Sequence, residues 1–337
     1  MVKAFISGCR GLAFDAEERA FLREADPWGL ILFKRNVENR AQLHALTTEF
    51  RAIVGRGDAP VLIDQEGGRV QRMGPPHWRH YPAAQRFLAE LPRSEARAAA
   101  RLAARLIAHD LFEVGVTVNC APVIDVADEL THAVIGSRAF AQEPLDVAEL
   151  GRAMIEGFLS GGVLPVIKHI PGHGRARADS HHELPVVDAG HADLAGRDFA
   201  PFRALNDAPA AMSAHIVYTA LDKDAPATTS AAIVSAVIRG EIGFQGLLIS
   251  DDLSMKALKG TFAERTRKVF AAGLDIALHC NGDLSESWPV AEASPELSRG
   301  ALGRATTALS RIANGPEPFD YEAGWARLTE MWPALAG

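Results

Sequence analysis

Residues 163–174 read Val-Leu-Pro-Val-Ile-Lys-His-Ile-Pro-Gly-His-Gly, and Asp179-Ser180-His181-His182 follow shortly after. The first five of these residues form an apolar run that predicts a buried strand at Val163–Ile167. Polar residues begin directly where this run stops, and a strand followed by a polar loop is how α/β enzymes place reactive side chains on a rigid scaffold. The segment therefore predicts an α/β fold and marks the loop after this strand as a candidate site.

Similar apolar runs recur along the whole chain. Eight of them predict strands, at Val2–Ser7, Gly29–Phe33, Pro60–Ile63, Val116–Ala121, Val163–Ile167, Ala210–Ala214, Gly246–Ser250 and Leu274–His279. Buried strands that alternate with amphipathic helices indicate a parallel sheet covered by helices. Eight such units favour a single (β/α)₈ TIM-type barrel, some of its strands irregular, with the active site at its C-terminal face.

Helix signals lie between these runs. Asp15-x-x-Glu18 reads as a capping box that opens a helix through Ala25. The other predicted helices run from Ser94 to about Val114, from Pro144 onward, from a Ser230 cap to Gly240 or Gly243, and over Glu296–Ile312.

Length and composition restrict the class of protein. The 337 residues suit one barrel domain spanning 1–337, with a helical tail from about residue 285. The net charge of −7 argues against a nucleic-acid partner. No apolar run approaches the roughly 20 residues of a membrane helix, and no signal peptide is evident. The three cysteines, Cys9, Cys120 and Cys280, read as buried reduced thiols. We expect a cytoplasmic monomer.

Polar residues gather at the ends of the predicted strands. These residues are Asp64-Gln65-Glu66 and Arg72 after strand three, Asp125 and Arg138 after strand four, Lys168 and His169 after strand five, His215 after strand six, and Asp251-Asp252 after strand seven. All of them would converge at one mouth of a barrel. Each also has a structural interpretation: Asp64 and Glu66 as helix caps or partners of Arg69, the Asp251-Asp252 pair as a helix N-cap, and His215 as a hydrogen-bonded core histidine.

Two chemistries fit such a mouth. In the first, His169, His173, His181 and Asp251 bind a divalent metal that activates water, but a His-x-His pair on the first strand and a His-Glu-x-x-His motif are both missing. In the second, a carboxylate after strand seven attacks carbon while a loop residue supplies and removes the proton. Sugars suit the second chemistry, because a carboxylate opposite a proton donor matches an oxocarbenium-like transition state.

The combined motifs resemble glycoside hydrolase family 3, in the single-barrel form of its bacterial β-N-acetylhexosaminidases. Lys-His-Ile-Pro-Gly-His-Gly with Asp-Ser-His, followed by Ser-Asp-Asp-Leu-Ser-Met, carries this resemblance together with Leu30–Phe33, Ile63–Val70, Ala121–Asp125 and Ile135–Arg138. It covers about three-quarters of the chain in order. The chain departs from the family pattern at Ile170, where an aromatic residue is usual, at Ala139, where serine is common, and at His182, which doubles the histidine.

The resemblance implies a role for each site residue. Asp251 matches the family's nucleophile, His181 its acid/base, and Asp179 the partner of that histidine. The positions that contact the sugar are Asp64, Arg72, Arg138, Lys168 and His169.

The resemblance further implies retaining hydrolysis of terminal N-acetylglucosamine from muropeptides in peptidoglycan recycling, with no metal or organic cofactor. Two alternatives to this covalent scheme stay open besides the metal-dependent hydrolase. The acetamide of the substrate could attack while Asp252 polarises it, or the chain could be a catalytically silent sugar-binding protein.

Overall fold

The computed structural model describes residues 2–178 and 184–335, and eight parallel strands in it close into a barrel. The strands are β1 (Lys3–Ser7), β2 (Pro27–Leu32), β3 (Val61–Ile63), β4 (Val118–Asn119), β5 (Leu164–Ile170), β6 (Ala210–Ser213), β7 (Leu247–Asp252) and β8 (Ile276–His279). Each strand pairs with the strands before and after it along the chain, and β1 pairs with β8 to close the ring. The predicted (β/α)₈ barrel is confirmed, and all eight predicted strands overlap observed ones.

The strands are apolar on both faces because each face meets a separate core. Alternate residues such as Ile31, Leu62 and Ile249 point into the barrel and form an inner core. Their chain neighbours, Leu30 and Leu248 among them, pack outward against the helices. This double burial explains why the strands appear in the sequence as continuous apolar runs rather than as alternating ones.

Helices cover the outside of the barrel. They are α1 (Ala16–Ala25), α2 (Arg40–Val54), α3 (Arg86–Glu90), α4 (Arg93–Glu113), α5 (Pro144–Ser160), α6 (His191–Asp193), α7 (Ala200–Ala204), α8 (Phe262–Ala271), α9 (Leu284–Ala293), α10 (Arg299–Ser310) and α11 (Tyr321–Met331). Short 3₁₀ helices occur at Lys34–Asn36, Gly136–Arg138, Ala227–Thr229 and Pro333–Leu335. Segments of π-helix occur at Leu194–Asp198 and Ile233–Glu241. None of the helices in the described ranges is long and apolar enough to cross a membrane.

The predicted helix starts are confirmed at several places. Asp15 caps α1 in a reciprocal capping box with Glu18, and Pro144 occupies the first turn of α5. The hydroxyl of Ser230 accepts the N–H of Ile233 at 3.1 Å, although the segment that follows is wound as a π-helix.

The last helices lie against the barrel's outer layer. Tyr321 at the start of α11 donates a hydrogen bond to Asp110 of α4 at 3.2 Å. The Trp332 indole N–H donates to Glu90 at 2.8 Å. The side chain of Arg304 in α10 binds the carboxylate of Asp275, next to the start of β8. These contacts tie residues distant in sequence to the barrel wall.

Two strands are longer than the sequence predicted. We placed the end of the fifth strand at Ile167, but β5 continues to Ile170 and all seven of its residues are buried. We placed the end of the seventh at Ser250, but β7 continues to Asp252. Charged residues usually mark a strand end, but here tertiary partners satisfy the charges, so the ladder continues through them.

Candidate active site

A cavity of about 260 Å³ opens among the C-terminal ends of the strands. The predicted site residues within the described ranges all line it: Asp64, Arg72, Arg138, Lys168, His169 and Asp251. They come from four strands and the loops that follow them, and barrel closure brings these separate segments together. Asp179 and His181, predicted as the proton-transfer pair, lie outside the described residues.

Lys168 is the central cation of one wall. Its side chain is 2% exposed, and its ammonium group donates to an Asp64 oxygen at 2.8 Å. The other oxygen of Asp64 accepts from Arg72 at 3.1 Å. Burial alone would raise the pKa of Asp64, but Lys168, Arg72 and Arg138 outweigh it and hold the pKa well below its usual range. Asp64 therefore stays ionised and fixes two cations at the edge of the cavity.

Glu66 belongs to the same charge network, a role that its predicted place at the mouth of the barrel did not reveal. Arg138 donates two hydrogen bonds to its carboxylate, at 2.7 and 2.8 Å, and Lys168 lies 2.6 Å from it. Burial raises the pKa of Glu66, but Arg138 and Lys168 together lower it to about 2. The alternative structural interpretation of Glu66, a helix cap or a partner of Arg69, does not describe these contacts: Glu66 lies in the hairpin of Gln65–Gly67 and Val70–Gln71 and pairs with Arg138 and Lys168.

This network predicts a pH-dependent stability. Because the pKa of Glu66 falls from 4.5 to about 2 on folding, its contribution is complete above about pH 5 and disappears as the pH falls toward 2. Such a shift corresponds to about 3 kcal/mol. We expect Glu66→Gln to lower the melting temperature at pH 7 by an amount that shrinks between pH 4.5 and pH 3.

Melting curves of both proteins between pH 7 and pH 3 measure this effect. Glu322→Gln is the matched control, since the side chain of Glu322 is 76% exposed and pairs with Arg79 at the surface, where ion pairs contribute little. A Glu66→Gln deficit that stays constant down to pH 3 would show that the ionised carboxylate is not what stabilises the fold.

His169 is held by Asp125, which the sequence predicted at the mouth of the barrel without a role in the site. The Nδ1 of His169 lies 2.7 Å from one oxygen of Asp125. The other oxygen accepts the backbone N–H groups of His169 at 3.1 Å and His173 at 2.7 Å. Asp125 is fully buried. Burial raises its pKa, but His169 and the two N–H donors lower that pKa by more, so it lies below its usual range. One carboxylate thus fixes the ring of His169 and the backbone of the loop after it.

The glycines of this loop have separate roles. Gly174 lies against the backbone of Val126, where a Cβ atom would meet the Val126 carbonyl oxygen at 1.8 Å. Gly172 has φ +139°, and its carbonyl accepts from the Tyr218 hydroxyl at 2.7 Å. The sequence motif Pro-Gly-His-Gly therefore serves the close packing of the loop on the barrel rim.

The end of β7 separates two carboxylates that the sequence could not distinguish. Leu247 and Ile249 point into the barrel, the register of β7 on β8 shifts between Ile249 and Asp252, and both Asp251 and Asp252 line the cavity. An oxygen of Asp251 accepts the N–H of Asp252 at 2.8 Å. Asp252 instead accepts the N–H groups of Ser254 and Cys280, each at 3.0 Å, and the Ser254 hydroxyl. Asp252 therefore holds the turn after β7, and Asp251, which also lines the cavity, is the candidate for the reacting carboxylate.

The remaining wall of the cavity is largely apolar. It contains Ile31, Phe33, Met212, Met255 and Leu278. A concave site with one apolar wall and one wall of fixed charges can hold a compact polyhydroxylated ligand, because apolar ring faces and hydroxyl groups find separate partners. A carboxylate facing such a ligand can attack carbon.

Three of the four residues proposed for a metal site, His169, His173 and Asp251, line the cavity. Among residues 2–178 and 184–335, no group of three or more His, Cys, Asp or Glu could hold a metal ion. His181, the fourth proposed ligand, lies outside those ranges.

Comparison with known sequences identifies relatives over most of the chain. The model of the glycosyl hydrolase family 3 N terminal domain matches residues 2–313. A beta-hexosaminidase of Bordetella avium is 41% identical over 274 residues, which cover 79% of this chain and 77% of that protein. A beta-hexosaminidase of Pseudomonas aeruginosa is 38% identical over 297 residues, covering 87% of this chain and 84% of that protein.

Solved structures agree with the sequence comparison. NagZ from Neisseria gonorrhoeae, in complex with N-trifluoroacetyl-D-glucosamine, matches with a TM-score of 0.85 and 31% identity, covering 98% of each chain. A family 3 β-N-acetylglucosaminidase from Paenibacillus sp. matches with a TM-score of 0.86 and 27% identity over 97% of this chain and 67% of that one. The chain belongs to glycoside hydrolase family 3.

Proposed function

We propose that this glycoside hydrolase removes terminal β-linked N-acetylglucosamine from muropeptides, with retention of configuration, in peptidoglycan recycling. The observation that carries the proposal is the cavity in which Asp251 faces Asp64, Arg72, Arg138, Lys168 and His169. The names of its relatives, beta-hexosaminidase and NagZ, support the same substrate class. Closed barrel geometry and a small cavity favour action on a chain end rather than within a polymer.

In the proposed mechanism Asp251 attacks the anomeric carbon and forms a covalent glycosyl-enzyme. His181 protonates the leaving oxygen and then activates the water that releases the sugar, with Asp179 orienting its ring. A histidine is suited to both steps because its reference pKa lies near 6.5. The assignment of His181 and Asp179 rests on the Asp-x-His register of the sequence.

The charged wall supplies the proposed sugar contacts. Fixed cations and carboxylates bind hydroxyl groups well, since ionised partners make the stronger hydrogen bonds. Lys168 and Arg72 share Asp64, so their heads are positioned before substrate arrives. We propose that these three side chains, together with His169 and Arg138, hold the hydroxyls of N-acetylglucosamine. Glu66 fixes the guanidinium group of Arg138.

The alternative in which the substrate's acetamide attacks has less support. That route needs a carboxylate such as Asp252 to polarise the acetamide. Both oxygens of Asp252 already accept hydrogen bonds from the turn after β7. The attack by Asp251 needs no rearrangement of that turn.

We further propose a monomer in the cytoplasm, where muropeptides are recycled. The cysteines Cys9, Cys120 and Cys280 are buried and unpaired with one another, as expected for a protein kept in a reducing compartment.

The proposed function predicts release of N-acetylglucosamine from a muropeptide in which that sugar is linked to anhydro-N-acetylmuramic acid. Product chromatography of wild-type reactions measures it, and a chelator should leave the rate unchanged. A polymer of β-linked glucose is the matched control, and it should not be hydrolysed. Cleavage of simple aryl N-acetylglucosaminides with no action on the muropeptide would overturn the substrate assignment, and loss of activity with chelator would favour a metal-dependent enzyme.

A further inference from the structure

His215 is a buried histidine that the proposed mechanism does not use. It follows β6, is fully buried, and makes two side-chain hydrogen bonds. Its Nε2 lies 3.0 Å from the carbonyl oxygen of Asp252, and its Nδ1 lies 2.8 Å from the hydroxyl of Thr228. The ring therefore bridges the segment after β6 and the turn that carries the two carboxylates of β7.

The partners of His215 determine which nitrogen carries the proton. A carbonyl oxygen can only accept, so Nε2 must be protonated and donate to Asp252. Burial lowers the pKa of His215, and the nearby Asp251 only partly offsets this, so the ring is neutral near pH 7 and Nδ1 is an acceptor. The Thr228 hydroxyl accepts from the Ser213 hydroxyl, which lies 2.7 Å away, and its single proton is shared between Nδ1 of His215 and the carbonyl oxygen of Ala214 at 2.9 Å.

Side chains hold three consecutive carbonyl groups where β7 ends and the following turn begins. The Ser250 hydroxyl donates to the carbonyl of Asp251 at 2.8 Å, His215 donates to that of Asp252, and Arg265 donates to that of Leu253 at 2.6 Å. The peptide groups on both sides of Asp252 are fixed in this way. The peptide group held by Ser250 carries the N–H that binds the Asp251 carboxylate, and His215 holds the next peptide group along the chain.

We propose that His215 is a positioning residue for the nucleophile: through the carbonyl of Asp252 it holds the turn that orients the Asp251 carboxylate toward the anomeric carbon. The inference rests on the proposed role of Asp251. Its physical basis is that reaction within a site requires near-attack geometry, and a displacement of about 1 Å costs about a hundredfold in rate. Residues that lock the rotamer of a reacting group supply that precision.

The test compares two amides that differ by one methylene. His215→Gln places an N–H donor at the reach of Nε2 and can still bind the carbonyl of Asp252. His215→Asn places its amide at the reach of Nδ1 and cannot. We expect His215→Asn to lower kcat for an aryl β-N-acetylglucosaminide at least tenfold with KM changed less than about threefold, and His215→Gln to retain kcat within about fivefold.

The rate at which a 5-fluoro donor of N-acetylglucosamine labels Asp251 reports the same step directly and should fall in parallel in His215→Asn. Thr228→Val and Thr228→Ser form a second pair in case His215→Asn does not fold. Removing the hydroxyl that anchors Nδ1 should lower kcat severalfold, and Thr228→Ser should restore it.

The outcomes separate this inference from the proposed function. A wild-type enzyme that neither hydrolyses the glycoside nor becomes labelled would refute the proposed function. A wild type that does both, with equal kcat in His215→Asn and His215→Gln and no loss in Thr228→Val, would refute the positioning role of His215 alone. A loss confined to KM would also refute it, because a displaced nucleophile affects the chemical step.

Discussion

Asp251→Ala is expected to lower kcat for hydrolysis of an aryl β-N-acetylglucosaminide by about 10⁴-fold or more, since removal of a nucleophile abolishes the covalent step. The fold should persist, because Asp251 lines the cavity rather than the hydrophobic core, and the N–H group that its carboxylate accepts belongs to its own chain neighbour, Asp252. Initial rates of chromophore release, with melting temperature as a check on folding, measure the change.

Asp252→Asn is the matched control for Asp251→Ala. It retains an oxygen that can accept from Ser254 and Cys280, so we expect a rate loss much smaller than for Asp251→Ala. A reversal of the two effects would assign the reacting carboxylate to Asp252 and favour participation of the substrate's acetamide.

Lys168→Met is expected to damage both stability and activity. Lys168 is buried against the carboxylates of Asp64 and Glu66, and these carboxylates together raise its pKa despite burial. Removing one partner from a buried ion network costs about 3–5 kcal/mol, because the remaining charges stay buried without compensation. We expect a loss of that size in the free energy of unfolding and a fall in kcat/KM of about a hundredfold or more.

Denaturant unfolding and steady-state kinetics measure the two effects of Lys168→Met. Lys223→Met serves as its control, since Lys223 is exposed, and it should behave as wild type. A Lys168→Met protein within about 1 kcal/mol of wild type in stability would contradict the account of the charge network.

The barrel could be predicted from the sequence because its strands are buried on both faces. Each strand then appears in the sequence as an uninterrupted apolar run, and eight such runs separated by helix signals are compatible with few folds other than the barrel. The residues at which the strands end were harder to predict. Lys168 and His169 looked like the start of a loop, yet they belong to β5, because Asp64 and Asp125 from other strands neutralise or orient them.

The cavity-lining residues could be named in advance because polar side chains directly follow apolar runs. The roles of Glu66 and Asp125 could not be predicted, although both residues were placed at the mouth of the barrel. Their roles depend on pairings across the barrel, Glu66 with Arg138 and Asp125 with His169, and sequence separation gives no indication of such pairs. Ile170 stands where the family usually has an aromatic residue, and its side chain is buried in the outer core.

The roles of Asp179 and His181, and the single domain spanning 1–337, stay predictions. The first depends on residues that the structure does not describe.

Trapping of the intermediate tests the central claim most directly. Incubation with a 5-fluoro glycosyl donor of N-acetylglucosamine, followed by peptide mass spectrometry, should show one sugar attached to the peptide that contains Asp251, at the Asp251 side chain. Asp251→Ala should show no label under the same conditions. An active wild-type enzyme without any adduct, or with the sugar on Asp252, would contradict covalent catalysis by Asp251.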